Sequence, residues 1–322
     1  MKKWQILLLA VLAAAGILLA TNSWVVWLSA CNLFRPTITL DKSESWDGGS
    51  YHRLSYGESQ SQYIDLYVPD MEEVPPLFVL IHGGGFVNGD SQTRQAQFMY
   101  RYFRDHGFAC ASLNYRLAGE APFPAAVEDV SAAVNYLASV ASDYGFRADK
   151  VAIWGESAGG YLAVREAIME ADVNIAALVD YYGAVERIES KKQFGELGIP
   201  SWLVSVANTW VSDLCGGYDS CEEYWLRKEY AEYTQEDFDA LSILKAADTS
   251  QRTGMLKTMI CHGDADITVP VLQSELLCDK LKEMYGSENT QYVQFHGYTH
   301  ADDRFYSDEQ LKEIETFLRQ VP

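Results

Sequence analysis

Positive charge is scarce in this chain of 322 residues: lysine and arginine number 25 against 45 aspartates and glutamates, for a formal net charge of −20. Nucleic-acid binding needs a basic face, so nucleic acid is not expected as a partner. An acidic surface repels anionic polymers and admits neutral small esters or neutral glycans; in its plainest role it only keeps the protein soluble. Cysteine is sparse too, six residues with no Cys-x-x-Cys and no Cys/His cluster at zinc spacing. No metal site is therefore expected. Internal repeats are lacking, which argues against a solenoid. Apolar residues, by contrast, make up 48% of the chain. That suffices for a full core in one large α/β domain or two small ones, and bulk disorder is not expected.

Acidic residues are missing from the first forty positions; Asp41 is the first. Lys2 and Lys3 precede an apolar run from Ile6 to Ala20, then a polar break, Trp24 to Leu28, and Leu28-Ser29-Ala30-Cys31. A basic start, an apolar stretch and small residues before a cleavage point make an export signal. The tetrapeptide resembles a bacterial lipobox, with Cys31 as the lipidated residue. Residues 1–31 are thus expected to be a lipoprotein-type signal segment, with an uncleaved membrane anchor as the alternative and a freely secreted form as the third. Each places residues 32–322 outside the cytoplasm, tethered to the membrane in the first two. Such a location permits disulfides. Cys215 and Cys221 flank a flexible Gly216-Gly217-Tyr218 loop and are the expected pair; Cys261 with Cys278 is weaker.

Along the chain, Tyr63 to Val68 alternates as a half-buried strand does. Continuous apolar runs at Leu77–Ile81, Phe108–Leu113, Val151–Trp154 and Ala176–Tyr182 read as strands buried on both faces. Met255–Cys261 and Gln291–Phe295 add two more. Helical patterns cover Thr93–His106, Ala125–Ser142 and Glu309–Gln320. The alternation predicts a mostly parallel central sheet flanked by helices. Residues 186–248 break it, being acidic and aromatic, and are expected to form an inserted helical lid. Single aromatics there also suit ordinary core packing.

Two segments carry chemistry. Gly155-x-Ser157-x-Gly159 sits between a buried strand and a helix. There a sharp turn can hold a serine hydroxyl clear of the backbone as a nucleophile. His82-Gly83-Gly84-Gly85 follows an earlier strand. A loop without side chains can turn amides toward an oxyanion, and the expected donors are Gly84, Gly85 and Ala158. His82 and Gly83 support that loop. No lysine follows the glycines, so a phosphate loop is excluded. The base must come after the serine in this chain order. Of six histidines, His300, in a loop after the last strand, is preferred over His296, while His262 supports the site. His262-Gly263-Asp264-Ala265-Asp266 offers two aspartates to orient the base, and chemistry alone does not separate them. A paired-carboxylate site would leave the serine, the glycine loop and the histidine unexplained.

The strings His82-Gly83-Gly84-Gly85-Phe86 and Gly155-Glu156-Ser157-Ala158-Gly159-Gly160 resemble the hormone-sensitive-lipase-like bacterial carboxylesterases of the α/β-hydrolase fold. Asp65-Leu66-Tyr67-Val68-Pro69 and the stretch from Asn114-Tyr115-Arg116-Leu117 through Phe123-Pro124-Ala125 to Asp129-Val130 are similar to that family as well. So is His262-Gly263-x-x-Asp266-x-x-Val269-Pro270, and the resemblance makes Asp266 the acid. It implies hydrolysis of small acyl or aryl esters without a cofactor, and some relatives remove acetyl or feruloyl groups from plant polysaccharides. The lid region matches nothing in the family pattern. A peptidase or amide hydrolase with the same triad, or a non-catalytic surface binding module, are the rival readings. The sequence is silent on oligomeric state.

Overall fold

The computed structural model describes residues 46–169, 173–186, 215–252 and 254–321. The expected signal segment 1–31, Cys31 within it, and residues 187–214 of the expected lid lie outside these. Among the described residues no helix is long and apolar enough to cross a membrane.

Eight strands form one sheet: β1 (Gly49–Ser55), β2 (Tyr63–Pro69), β3 (Pro76–Ile81), β4 (Ala109–Leu113), β5 (Arg147–Glu156), β6 (Ile175–Tyr181), β7 (Lys257–Gly263) and β8 (Thr290–Phe295). Their spatial order is β1-β2-β4-β3-β5-β6-β7-β8. The pairs β1/β2 and β2/β4 are antiparallel, and every later pair is parallel. Parallel neighbours need crossovers. Helices α1 (Arg94–Asp105), α2 (Ala125–Tyr144), α3 (Ala158–Ile168) and α7 (Leu272–Tyr285) lie in them. Among the described residues, three short α-helices come between β6 and β7, α4 (Cys221–Leu226), α5 (Gln235–Leu241) and α6 (Ile243–Thr249), and α8 (Asp308–Leu318) follows β8.

The continuous apolar runs have a simple cause. Side chains alternate across a strand, and both faces of this sheet are covered. Leu77, Val79 and Ile81 of β3 enter the core that includes Val130 and Val134 of α2 and Leu162 of α3. Phe78 and Leu80 enter the opposite core with Met99 and Phe103 of α1 and Ile314 and Phe317 of α8. Each such fully buried side chain contributes about 1.5–3 kcal/mol.

Strand β2 departs from the half-buried expectation: Ile64 through Val68 are all buried. The polar member is accommodated by its partners. Asp65 accepts from Arg53 at 2.8 and 2.9 Å, Tyr51 at 2.6 Å, Ser91 at 2.5 Å and Gln92 at 2.7 Å. Burial opposes its charge, but Arg53, Ser91, Tyr51 and Gln92 together hold its carboxyl below the usual range. Ser91 and Gln92 lie just beyond the glycine loop that follows β3, so this buried carboxylate pins the far end of that loop.

The end of the 186–248 stretch packs into the domain. Leu241, Ile243, Ala246 and Ala247 belong to the same core as α3, so α6 flanks the sheet. Further N-terminally, Trp225 of α4 is buried. It stacks on Phe86 at 3.8 Å between ring centroids and 5° between planes, with Phe123 and Tyr161 at its edges. Segment 215–227 thereby rests on the glycine loop.

Candidate active site

The carboxyl ends of β3, β5, β7 and β8 lie along one edge of the sheet, with β6 between β5 and β7, and in parallel sheets that edge is where ligands bind. The segments leaving those four strands carry the glycine loop, Ser157, Asp266 and His300 in turn.

Ser157 is held in a strained conformation, φ 52° and ψ −117°, between β5 and α3. Its amide donates to the Tyr181 carbonyl at 2.9 Å. The flanking glycines are required by contact: a Cβ on Gly155 would lie 2.1 Å from the Gly159 carbonyl oxygen, and one on Gly159 would lie 2.2 Å from that of Ile81. Four of the five described non-glycine residues with positive φ are Phe86, Ser157, Tyr182 and Ala301, all on the segments that build this site. Such strain persists only where the surroundings over-determine it, and it clusters at functional sites.

The structure brings Ser157, His300 and Asp266 into one line. The Oγ of Ser157 lies 2.9 Å from Nε2 of His300, and Nδ1 of His300 lies 2.6 Å from Oδ2 of Asp266. His300 and Asp266 are both buried. Asp266 Oδ1 accepts from the amides of Thr268 at 2.8 Å and Val269 at 2.9 Å. Burial disfavours its charge, but His300 and His262 outweigh burial and hold the carboxyl well below the usual range. His262 is buried, with Nε2 3.3 Å from Asp266 Oδ2 and 2.9 Å from the Val269 carbonyl, and Nδ1 2.7 Å from Ser274 Oγ. It braces the turn that carries the acid. The alternative pair is also formed, but elsewhere: His296 Nδ1 lies 2.7 Å from Asp264 Oδ2 in solvent, with the His296 side chain 99% exposed.

The glycine loop faces the serine. Gly84 has φ 110°, and a Cβ there would fall 1.9 Å from the Asn88 carbonyl oxygen; Gly85 has φ 62°. His82 keeps within the loop, with Nδ1 2.7 Å from the Gly83 carbonyl and its ring stacked on Tyr115 at 4.4 Å. Burial pushes its pKa down to about 4, so it is neutral at neutral pH. Ala158 is the first residue of α3. Its amide has no acceptor within the helix and sits at the positive end of the helix dipole. An imidazole within hydrogen-bond reach of a hydroxyl, beside a glycine loop and a helix N-terminus, is the kind of equipment that nucleophilic acyl transfer uses.

Cys215 and Cys221, the expected pair, lie together with 3.6 Å between sulfurs. Cys221 stands against the glycine loop, where a Cβ on Gly85 would lie 3.0 Å from its sulfur. Cys110, Cys261 and Cys278 are buried and free. Among the described residues no group of three His, Cys, Asp or Glu is placed to hold a metal ion.

Sequence reasoning gave no site role to Glu156, Tyr182 and Tyr306, and placed Trp225 only among the aromatics of the expected lid. Glu156 sits inside the Gly-x-Ser pentapeptide and Tyr182 directly follows β6 beside the site, so both carried a positional signal. Tyr306 and Trp225 reach the site only through tertiary packing.

The protein has the α/β-hydrolase fold, an eight-stranded, mostly parallel sheet with flanking helices. The BD-FAE family profile matches residues 64–281, more than half of the chain, and the chain belongs to that family. It is 38% identical over 99 residues to "Esterase LipI" of Mycobacterium tuberculosis, covering 30% of this chain and 29% of that one. It is 30% identical over 139 residues to "Acetyl esterase" of Salmonella paratyphi B, covering 40% and 42%. The matches thus span less than half the length of these curated relatives. Among solved structures, "Truncated form of carbohydrate esterase from gut microbiota" superposes with a TM-score of 0.68 at 19% identity, covering 86% of this chain and 98% of that one. At that identity the likeness speaks for the fold.

Proposed function

We propose that the protein is a serine carboxylic ester hydrolase. The observation that carries this reading is the Ser157–His300–Asp266 line at hydrogen-bond distances, with Ser157 on the strained turn after β5. In this reading Ser157 Oγ attacks the ester carbonyl while His300 Nε2 takes its proton. The amides of Gly84, Gly85 and Ala158 stabilise the oxyanion, each by about 3 kcal/mol in the transition state. His300 returns the proton to the departing alcohol, leaving an acyl-Ser157. Water, deprotonated by His300, then releases the acid and restores the serine.

The substrate class proposed is a small acyl or aryl ester, with acetyl or feruloyl groups on glycans as the specific form. It is supported by the names of similar proteins, an acetyl esterase and a carbohydrate esterase, and by the net charge of −20, which suits neutral glycans. The aromatic stretch 186–248, whose described residue Trp225 stacks on Phe86 of the glycine loop, is the segment proposed to select the acyl group. The test compares purified protein with its Ser157→Ala variant on p-nitrophenyl acetate, methyl ferulate, acetylated xylan and a proline-containing peptide amide. Serine-dependent release from the esters is expected. Cleavage of the amide alone would move the protein to the peptidases.

The extracytoplasmic, membrane-tethered location rests on residues 2–31 of the sequence and is likewise a proposal. Metabolic labelling with a radioactive fatty acid in a bacterial host should mark the wild type, and Cys31→Ser should abolish the label. An unlabelled wild type that remains in the membrane fraction would mean an uncleaved anchor.

A further inference from the structure

Glu156, beside Ser157, is 4% exposed. Its Oε2 lies 2.8 Å from the Tyr182 hydroxyl and 3.0 Å from the Tyr306 hydroxyl, and the two hydroxyl oxygens lie 2.7 Å from each other. Its Oε1 accepts from the Gly83 amide at 3.4 Å. Three oxygens thus form a triangle with every side at hydrogen-bond length, and every hydrogen bond needs one proton. The two phenols bring two. An ionised carboxylate brings none, which leaves one side of the triangle as two lone pairs face to face. The protonated acid brings the third proton and closes the ring.

The surroundings agree. Tyr182 and Tyr306 face the carboxyl, as do His300, the Gly83 amide and the hydroxyl of Tyr115. Among the described residues no lysine or arginine pairs with it. Burial pushes its pKa up, against the two phenols, His300 and the Gly83 amide. The ring also touches both halves of the site. The Gly83 amide belongs to the glycine loop, and the Tyr182 ring meets the His300 ring edge-on at 4.8 Å and 61°. Tyr182 holds that place at φ 44°.

We propose that Glu156 is a positioning residue held as the neutral acid at neutral pH, its proton closing a ring with Tyr182 and Tyr306 that fixes the glycine loop and His300. A carboxyl whose folded-state pKa is raised supports the fold below its unfolded pKa and loses that support as pH rises through the folded value. The ring therefore opens toward alkaline pH. For kinetics the inference rests on the esterase reading: ionisation puts a negative charge next to the oxyanion amides. It is expected to lower kcat about tenfold with KM little changed. Glu156→Gln, whose amide can donate to both phenols and cannot ionise, is expected to remove this alkaline fall.

The test does not depend on turnover. Infrared difference spectra of the intact protein are recorded from about pH 5 to about pH 9, with Glu156→Gln identifying the band of this one carboxyl. A protonated carboxyl band present at neutral pH and lost at alkaline pH supports the proposal. A carboxylate at neutral pH overturns it. Tyr306→Phe gives a second, directional reading, which stands even if the glutamine variant does not fold. Without the third oxygen the third proton is no longer needed, so Glu156 should ionise at lower pH. If Glu156 is instead an anion served by two donors, losing one makes it keep its proton to higher pH, which contradicts the ring. Absence of Ser157-dependent ester release would defeat the esterase reading while leaving these spectra to decide the state of Glu156.

Discussion

Ser157→Ala is expected to lower kcat on a small ester by about a millionfold, with KM changed little. On the proposed mechanism, the size follows from the concerted use of the line Asp266–His300–Ser157. Without the hydroxyl no acyl-enzyme forms, and the base and acid have nothing to act on. What remains is binding and the amides of Gly84, Gly85 and Ala158, which still favour attack by water about a thousandfold over solution. Folding is not expected to suffer, because the turn is fixed by the Ser157 amide on the Tyr181 carbonyl and by the glycines at 155 and 159, all unaffected by the substitution. Steady-state kinetics with circular dichroism on the same sample checks both halves. Turnover within tenfold of the wild type would remove Ser157 from the chemistry.

The second large effect separates the two aspartates that sequence alone left equal. Asp266→Asn is expected to cost about ten thousandfold in kcat. The Asp266 carboxylate accepts from His300 Nδ1 at 2.6 Å, which leaves Nε2 free to accept the serine proton. An amide presents a donor in place of one acceptor, and the imidazole turns to the wrong tautomer. Asp264→Asn disturbs the solvent-exposed contact to His296, and the asparagine oxygen can still accept from the Gly297 amide. A pair like that contributes about 0–1 kcal/mol, so kcat should stay within about twofold of the wild type. Equal losses in the two variants would mean that the loop after β7, and no single acid, is what matters.

Much of this arrangement is legible in the sequence because its causes are local. The runs at Leu77–Ile81 and Val151–Trp154 are apolar on every position, since both faces of the sheet are covered, and they fall within β3 and β5. The elbow glycines are specified by contacts of about 2 Å that a side chain could not survive, so a pentapeptide suffices to mark the turn. Strand β2 misled because alternation normally means one wet face. Asp65 is instead satisfied by Arg53, Tyr51, Ser91 and Gln92, residues up to 27 positions away. The Glu156 ring was hidden for the same reason, its third oxygen coming from Tyr306, 150 positions away. Likewise the burial of Trp225 against Phe86 depends on how a stretch after β6 folds back over the loop after β3, which no periodicity encodes. The end of the 186–248 region shows the converse. Ile243, Ala246 and Ala247 carry an ordinary helical stripe, and they serve the core within a segment that composition alone sets apart.

The most direct test of the central claim is covalent. The folded protein is treated with a fluorophosphonate, which reacts with an activated serine hydroxyl and displaces fluoride, and the site of the adduct is read by peptide mass spectrometry. A single adduct on Ser157, lost in His300→Ala, is the predicted result. An unmodified Ser157 in a folded sample, or an adduct on another residue, would contradict the account.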